Sequence, residues 1–239
     1  MSSPACWAVV PAAGVGRRMG GEIPKQYLPL GGRRVIEQSL SRLLDHPSVR
    51  GVCVVLSAGD LWWRQLSLAS DSRILTVEGG EERANSVLNG LRRLEGLASP
   101  DDWVLVHDAA RPCLHASDID RLIEAVIAGG PGVGPGGLLA IPLHDTLKLS
   151  KPDTPCVEKT LPRERFWRAF TPQMFPIGLL RRALESALEK QLDVTDEASA
   201  MELAGYSPQL VEGRSDNIKI TRPEDLLLAE FYLRQQEEE

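Results

Sequence analysis

The run Trp7-Ala8-Val9-Val10, closed by Pro11 and followed at once by Ala12-Ala13-Gly14-Val15-Gly16, constrains this chain more than any other stretch. A short apolar run bounded by proline reads as a buried strand. A strand that empties into small residues and glycine feeds a turn whose backbone lies open to a ligand. Runs of the same kind recur at Gly51 to Ser57, Arg73 to Val77 and Trp103 to His107. Between them, Val35 to Leu44, Arg83 to Leu94 and Asp118 to Ile127 carry apolar residues at the spacing of a helix with one buried face. Strand alternating with helix predicts an α/β fold, a doubly wound and mostly parallel sheet covered by helices on both faces.

The rhythm breaks at Gly129 to Gly137, where six glycines and two prolines predict a surface excursion. Leu138 to Pro142 reads as a further core strand. Asp145 to Ser150 and Cys156 to Thr160 then read as a hairpin about the turn Lys151 to Pro155. A two-stranded ribbon is marginal alone in water, so it must pack on the core or on a second subunit. Gly178 to Lys190, Thr195 to Leu203 and Pro223 to Arg234 predict helices, and Pro208 to Val211 and Asn217 to Thr221 predict late strands. The expected organisation is one domain over residues 1–239 with an arm at about 143–163.

A chain of 239 residues with 43% hydrophobic and 25% charged residues buries a core unaided. Its net charge of -6 argues against a nucleic-acid partner, so an anionic ligand must be met by a local basic site. Cys6, Cys53, Cys113 and Cys156 lie far apart without a C-x-x-C pair and are expected as small core residues, neither disulfides nor metal ligands. There is no basic leader with a long apolar stretch and no run of membrane-spanning length, which predicts a cytoplasmic protein with no membrane association.

The loop after the first strand continues Gly14-Val15-Gly16-Arg17-Arg18-Met19, with Pro24-Lys25 after a short gap. Small residues let backbone N–H groups approach a triphosphate, and Arg18 and Lys25 add fixed positive charge. A bare G-x-G serves equally well as a tight β-to-α turn. The loop lacks the third glycine and acidic residue of a dinucleotide fingerprint, and it lacks the G-K-[ST] ending of a P-loop.

Strand, small residues, G-x-G-x-R-M and P-K together resemble the signature of sugar-phosphate nucleotidyltransferases. Five further stretches narrow the match: Gly79-Gly80-Glu81-Glu82-Arg83-Ala84-Asn85-Ser86-Val87, Val106-His107-Asp108-Ala109-Ala110-Arg111-Pro112, Thr171-Pro172-Gln173, Val194-Thr195-Asp196-Glu197-Ala198 and Asn217-Ile218-Lys219-Ile220-Thr221. These, in this order from Val9 to Leu233, are similar to the 2-C-methyl-D-erythritol 4-phosphate cytidylyltransferases. The resemblance implies a Rossmann-like nucleotidyltransferase core with a protruding β-hairpin arm.

It also implies a reaction, in which the acceptor's phosphate attacks the α-phosphorus of CTP and releases pyrophosphate. A phosphate monoester is already largely dianionic near neutral pH, so positioning and charge neutralisation are required and a general base is not. By the resemblance Arg18 and Lys25 stabilise the transition state, and Arg163 and Lys219 hold the acceptor phosphate in line. Ala12, Ala13, Gly14, Gly80, Glu81, Ser86 and Ala109 bind the nucleotide, with Glu81 standing where the family usually has Asp. Asp108, Arg111, Thr146, Thr171 and Thr195 meet the acceptor. Mg²⁺ or another divalent cation is expected on the CTP phosphates, with Asp108 and Asp216 as candidate contacts. His107 is expected as a satisfied core residue. The arm implies a homodimer whose sites are completed in trans. A ribitol 5-phosphate cytidylyltransferase, a silent nucleotide-binding module and, less in keeping with the loop, a dinucleotide-dependent oxidoreductase are the other readings that the residues leave open.

Overall fold

The computed structural model describes residues 5–14, 23–129 and 134–238. Its strands are β1 (Cys6–Pro11), β2 (Pro29–Leu30), β3 (Arg33–Arg34), β4 (Val49–Leu56), β5 (Ile74–Glu78), β6 (Trp103–Val106), β7 (Gly137–Pro142), β8 (Leu147–Ser150), β9 (Val157–Leu161), β10 (Trp167–Pro176) and β11 (Gln209–Glu212). Its helices are α1 (Val35–Leu44), α2 (Arg83–Arg93), α3 (Ala116–Ala128), α4 (Ile177–Glu189), α5 (Glu197–Leu203) and α6 (Glu224–Glu238).

Seven strands make one sheet in the order β11-β7-β10-β6-β1-β4-β5. β1 pairs in parallel with β4 and β6, β4 with β5, and β7 with β11, whereas β10 runs antiparallel to both its neighbours. This is the doubly wound, mostly parallel α/β fold that the alternation of strand and helix predicts. The two-residue period of β1 shows why helices cover both faces. Ala8 and Val10 pack in one cluster with Ile36, Leu40, Ile119 and Leu122 of α1 and α3, while Val9 packs in another with Val87, Leu91, Leu180 and Leu184 of α2 and α4. α2 lies so close to the sheet that a Cβ on Gly90 would stand 2.6 Å from Val9 Cγ1 and 3.1 Å from Val55 Cγ2.

Several expectations are corrected. Asn217 to Thr221 is irregular chain, not a strand. Its backbone finds partners one at a time: Ile220 N–H donates to Ala110 O at 2.8 Å, and Asn217 O accepts from Arg111 Nη1 at 2.7 Å. Cys6, Cys53 and Cys113 are buried as expected, but Cys156 is exposed beside the arm's turn. The chain also contains a long strand that its sequence pattern hides, β10, inserted between β6 and β7. Of the glycine-rich segment, residues 130–133 fall outside the described residues, and Gly137 already opens β7.

The arm forms where the hairpin was expected. β8 and β9 pair antiparallel as a separate two-stranded ribbon. The chain leaves the sheet at Pro142 and re-enters directly opposite, at Trp167, with Leu143 N–H donating to Phe166 O at 2.9 Å across the base. Among the described residues no helix is long and apolar enough to cross a membrane.

Candidate active site

In an open parallel sheet, ligands collect at the carboxyl ends of the strands, where neighbouring connections diverge to opposite faces. The ends of β1, β5 and β6 here open onto one cavity of about 220 Å³. β1 contributes Ala12, Ala13 and Gly14, β5 leads to Gly80, Glu81 and Ser86, and β6 leads to Asp108 and Ala109. Lys25 and Lys219 complete the wall, so ten of the residues singled out in the sequence meet in one place.

Local contacts fix each wall. Gln26 Nε2 donates to Ala12 O at 2.7 Å and Gly14 O at 3.0 Å, which anchors the described start of the glycine loop. The turn after β5 packs on this loop so closely that a Cβ on Gly79 would lie 2.6 Å from Ala13 Cβ and 2.8 Å from Ser86 Oγ. Ser86 Oγ accepts the Gly80 N–H at 3.2 Å, setting the backbone that faces the cavity. Lys25 opens a short 3₁₀ turn, and its Nζ donates to Ile220 O at 3.0 Å.

Asp108 is the electrostatic centre of the far wall. Its Oδ2 lies 2.7 Å from Lys219 Nζ and 3.7 Å from Arg111 Nε, and its Oδ1 lies 3.2 Å from Arg83. Burial alone would raise its pKa, but Arg83, Lys219 and Arg111 outweigh that and hold the carboxyl well below the usual carboxylate range. Arg83 also clasps Glu197, at 2.6 Å and 3.1 Å. Arg111 sits over the Phe170 ring, 4.9 Å from its centroid, and donates to Asn217 O.

His107 belongs to the scaffold beneath. Its Nε2 is 3.0 Å from Arg111 O, which only accepts, so Nε2 carries the proton. Nδ1 then accepts from Thr171 Oγ1 at 3.0 Å, and that oxygen in turn accepts the Asp108 N–H at 3.1 Å. This relay uses up the Thr171 hydroxyl and fixes the turn that presents Asp108. Burial lowers the His107 pKa from 6.5 to about 4. Because the unfolded chain takes up the proton first, stability present above pH 6.5 is lost as pH falls toward 4, by about 3 kcal/mol from this group. Denaturant titrations across that window should show a smaller pH slope in His107→Gln than in the wild type. Equal slopes would mean that the ring is not kept neutral.

The remaining described candidates lie apart from the cavity. Thr146 and Arg163 are exposed on the arm, where Arg163 Nη1 donates to His144 O. Thr195 is exposed just before α5, and Arg111 and Thr171 stand behind Asp108. Asp216 is held by Arg214 on both oxygens and by Gln236 Nε2. Arg18 lies outside the described residues. Sequence reasoning gave no role to Arg83, Glu197 or Gln26. Arg83 sat in a quoted motif, but its partner Glu197 is 114 residues away.

As for a divalent cation, every carboxylate oxygen of Asp108 and Asp216 already faces an arginine or lysine. Among the described residues no group of three His, Cys, Asp or Glu side chains is placed to hold a metal. The donor set does not fit a magnesium site built from the protein.

The family model for IspD, 2-C-methyl-D-erythritol 4-phosphate cytidylyltransferase, matches residues 6–235. The 2-C-methyl-D-erythritol 4-phosphate cytidylyltransferase of Photorhabdus laumondii is 53% identical over 228 residues, 95% of this chain and 93% of that one. Its namesake from Pseudomonas fluorescens is 55% identical over 224 residues, 93% of each chain. The crystal structure of the Francisella tularensis protein of that name superposes with a TM-score of 0.81 at 35% identity, covering 95% of this chain and 99% of its own. That of the Thermus thermophilus protein gives a TM-score of 0.75 at 32% identity, over 95% and 98%. With matched motifs converging on one cavity at the strand ends, the chain belongs to the 2-C-methyl-D-erythritol 4-phosphate cytidylyltransferase family.

Proposed function

We propose that this enzyme transfers CMP from CTP to 2-C-methyl-D-erythritol 4-phosphate, giving 4-diphosphocytidyl-2-C-methyl-D-erythritol and pyrophosphate on the route to isoprenoid precursors. The observation that carries this reading is the single cavity in which the glycine loop, the Gly80 to Ser86 turn, Lys25, Asp108 and Lys219 meet. An acceptor phosphate oxygen forms a bond to the α-phosphorus as the bond to the bridging oxygen of pyrophosphate breaks. No proton has to be removed first, which agrees with a neutral His107 whose two nitrogens are both engaged.

The chain's work is then to orient two anions and neutralise them. Arg18 and Lys25 serve the CTP phosphates, and Arg163 and Lys219 serve the acceptor phosphate. Asp108, Arg111, Thr146 and Thr195 surround the acceptor, while Thr171 acts on it through Asp108. Ala12, Ala13, Gly14 and Ala109 admit the nucleotide by being small. Gly80, Glu81 and Ser86 read cytosine, chiefly through backbone groups. A magnesium ion held by the CTP phosphates alone would add further neutralisation, with no ligand role for Asp108 or Asp216. The enzyme acts as a homodimer. This is supported by the exposed apolar residues of the arm and its base, Leu149, Val157, Phe166 and Trp167, which a single chain leaves uncovered. Its compartment is the cytoplasm, where CTP is available.

The test is pyrophosphate release from each nucleotide with a panel of alditol phosphates. Uracil presents an acceptor where cytosine presents an amino donor, and an unmatched buried polar group costs about 1–3 kcal/mol. CTP with 2-C-methyl-D-erythritol 4-phosphate should therefore exceed UTP by about fivefold to a hundredfold in kcat/KM. Equal rates with UTP would remove the case for cytosine selection, and faster turnover of ribitol 5-phosphate would reassign the acceptor.

A further inference from the structure

Lys219 has two claims on it. In the reading above it holds the acceptor phosphate, yet in the structure its ammonium is tied to Asp108 at 2.7 Å. A phosphate dianion competes for the same ammonium and weakens its hold on Asp108, and a buried carboxylate that loses its cation is strongly destabilised. Asp108 has a side chain only 10% exposed, so the carboxylate needs another cation that stays when Lys219 turns away.

Arg83 is built for that part. Its guanidinium lies 3.2 Å from Asp108 Oδ1 through both Nε and Nη2, on the oxygen that Lys219 does not use. Its outer edge is clasped by Glu197, whose side chain is 1% exposed. The planar fork therefore joins two carboxylates and is fixed from both sides. Lys219 sits at a more open position, with 38% of its side chain exposed. Arg111 is a weaker substitute, since it stands 3.7 Å from Asp108 and is committed to Asn217 O and the Phe170 ring.

We propose that Arg83 is a positioning residue that keeps Asp108 paired while Lys219 is released to the acceptor phosphate, with Glu197 as the anchor that holds Arg83 in place. This rests on the functional reading above and deepens its acceptor half. Arg83 also begins α2, directly after the Gly79 to Glu82 turn, so one side chain links the nucleotide wall to the acceptor wall.

Arg83→Gln alone would strand the buried Glu197, so the informative variant is Arg83→Gln/Glu197→Gln, which removes both charges and retains amide hydrogen bonding. Its KM for 2-C-methyl-D-erythritol 4-phosphate should rise about tenfold or more, with a smaller change in kcat. CTP affinity measured by calorimetry without acceptor should stay within about threefold of wild type. Arg83→Lys, which keeps a charge beside Asp108, should recover part of the acceptor KM relative to the double variant. An unchanged acceptor KM would overturn the inference. So would a parallel loss of CTP affinity, which would make Arg83 part of the nucleotide turn, or an Arg83→Lys enzyme no better than the double variant. Wild-type enzyme that fails to turn over CTP with this acceptor would overturn the functional reading itself, and the inference with it.

Discussion

Replacing Lys25 by alanine should lower kcat by about 10²- to 10³-fold, the usual cost of removing one preorganised group from a developing charge. Lys25 lies on the cavity wall, and its Nζ is directed by Ile220 O, the residue next to Lys219. A cation held in place before reaction acts most strongly where charge accumulates, on the crowded phosphorus and the departing pyrophosphate. In the proposed reading, ground-state attraction for CTP is spread over several groups, including the backbone of the glycine loop. The affinity for CTP should therefore change far less than kcat. Steady-state kinetics with both substrates varied decides the matter. A variant with near-normal kcat and only a raised KM for CTP would reduce Lys25 to a ground-state binder.

The other large effect is a gain of activity. If the arm crosses to a second subunit, Arg163 serves the neighbour's site while Lys25 serves its own. Inactive Lys25→Ala protein mixed with inactive Arg163→Ala protein should then regain activity. Random exchange makes about half of the dimers mixed, each with one intact site and one doubly damaged site, so recovery should approach about a quarter of wild type. Silence after demonstrated subunit exchange would mean that Arg163 works within its own chain.

What the sequence disclosed depended on how local each signal was. Val35 to Leu44 is a helix over the expected span, because its apolar spacing and polar flanks are complete within ten residues. β10 was hidden because Trp167–Pro176 contains Pro172 and ends in Pro176, and proline argues against a central strand. The sheet accommodates Pro172 by a register shift between Ala169 and Gln173, a feature no local pattern announces. Asn217 to Thr221 misled in the opposite direction. Ile218 and Ile220 alternate like a strand, but the segment is held by single bonds from Ala110, Arg111 and Asn217's own amide, which donates to Thr171 O at 2.8 Å. Ten of the cavity-lining residues were legible through motif and resemblance, but Gln26 and Arg83 around the same cavity were not. Nor was the pairing of Arg83 with Glu197, because it depends on the fold bringing together the first residues of α2 and α5, which lie 114 residues apart.

The base of the arm has a consequence for how such an enzyme can change over generations. Pro142 and Trp167 face each other across two adjacent strands, and the Leu143 to Phe166 bond shuts the junction. Everything between them is therefore an outgrowth of one turn, and its strands β8 and β9 expose most of their side chains. Insertions, deletions and substitutions there leave the sheet's register and both core layers undisturbed. The ends of β1 and β5 have no such latitude, since a Cβ on Gly79 would lie 2.6 Å from Ala13 Cβ and 2.8 Å from Ser86 Oγ. If, as proposed, the hairpin carries acceptor contacts, substitutions there can retune how the alcohol phosphate is held while the strand ends where Lys25, Asp108 and Lys219 meet stay as they are.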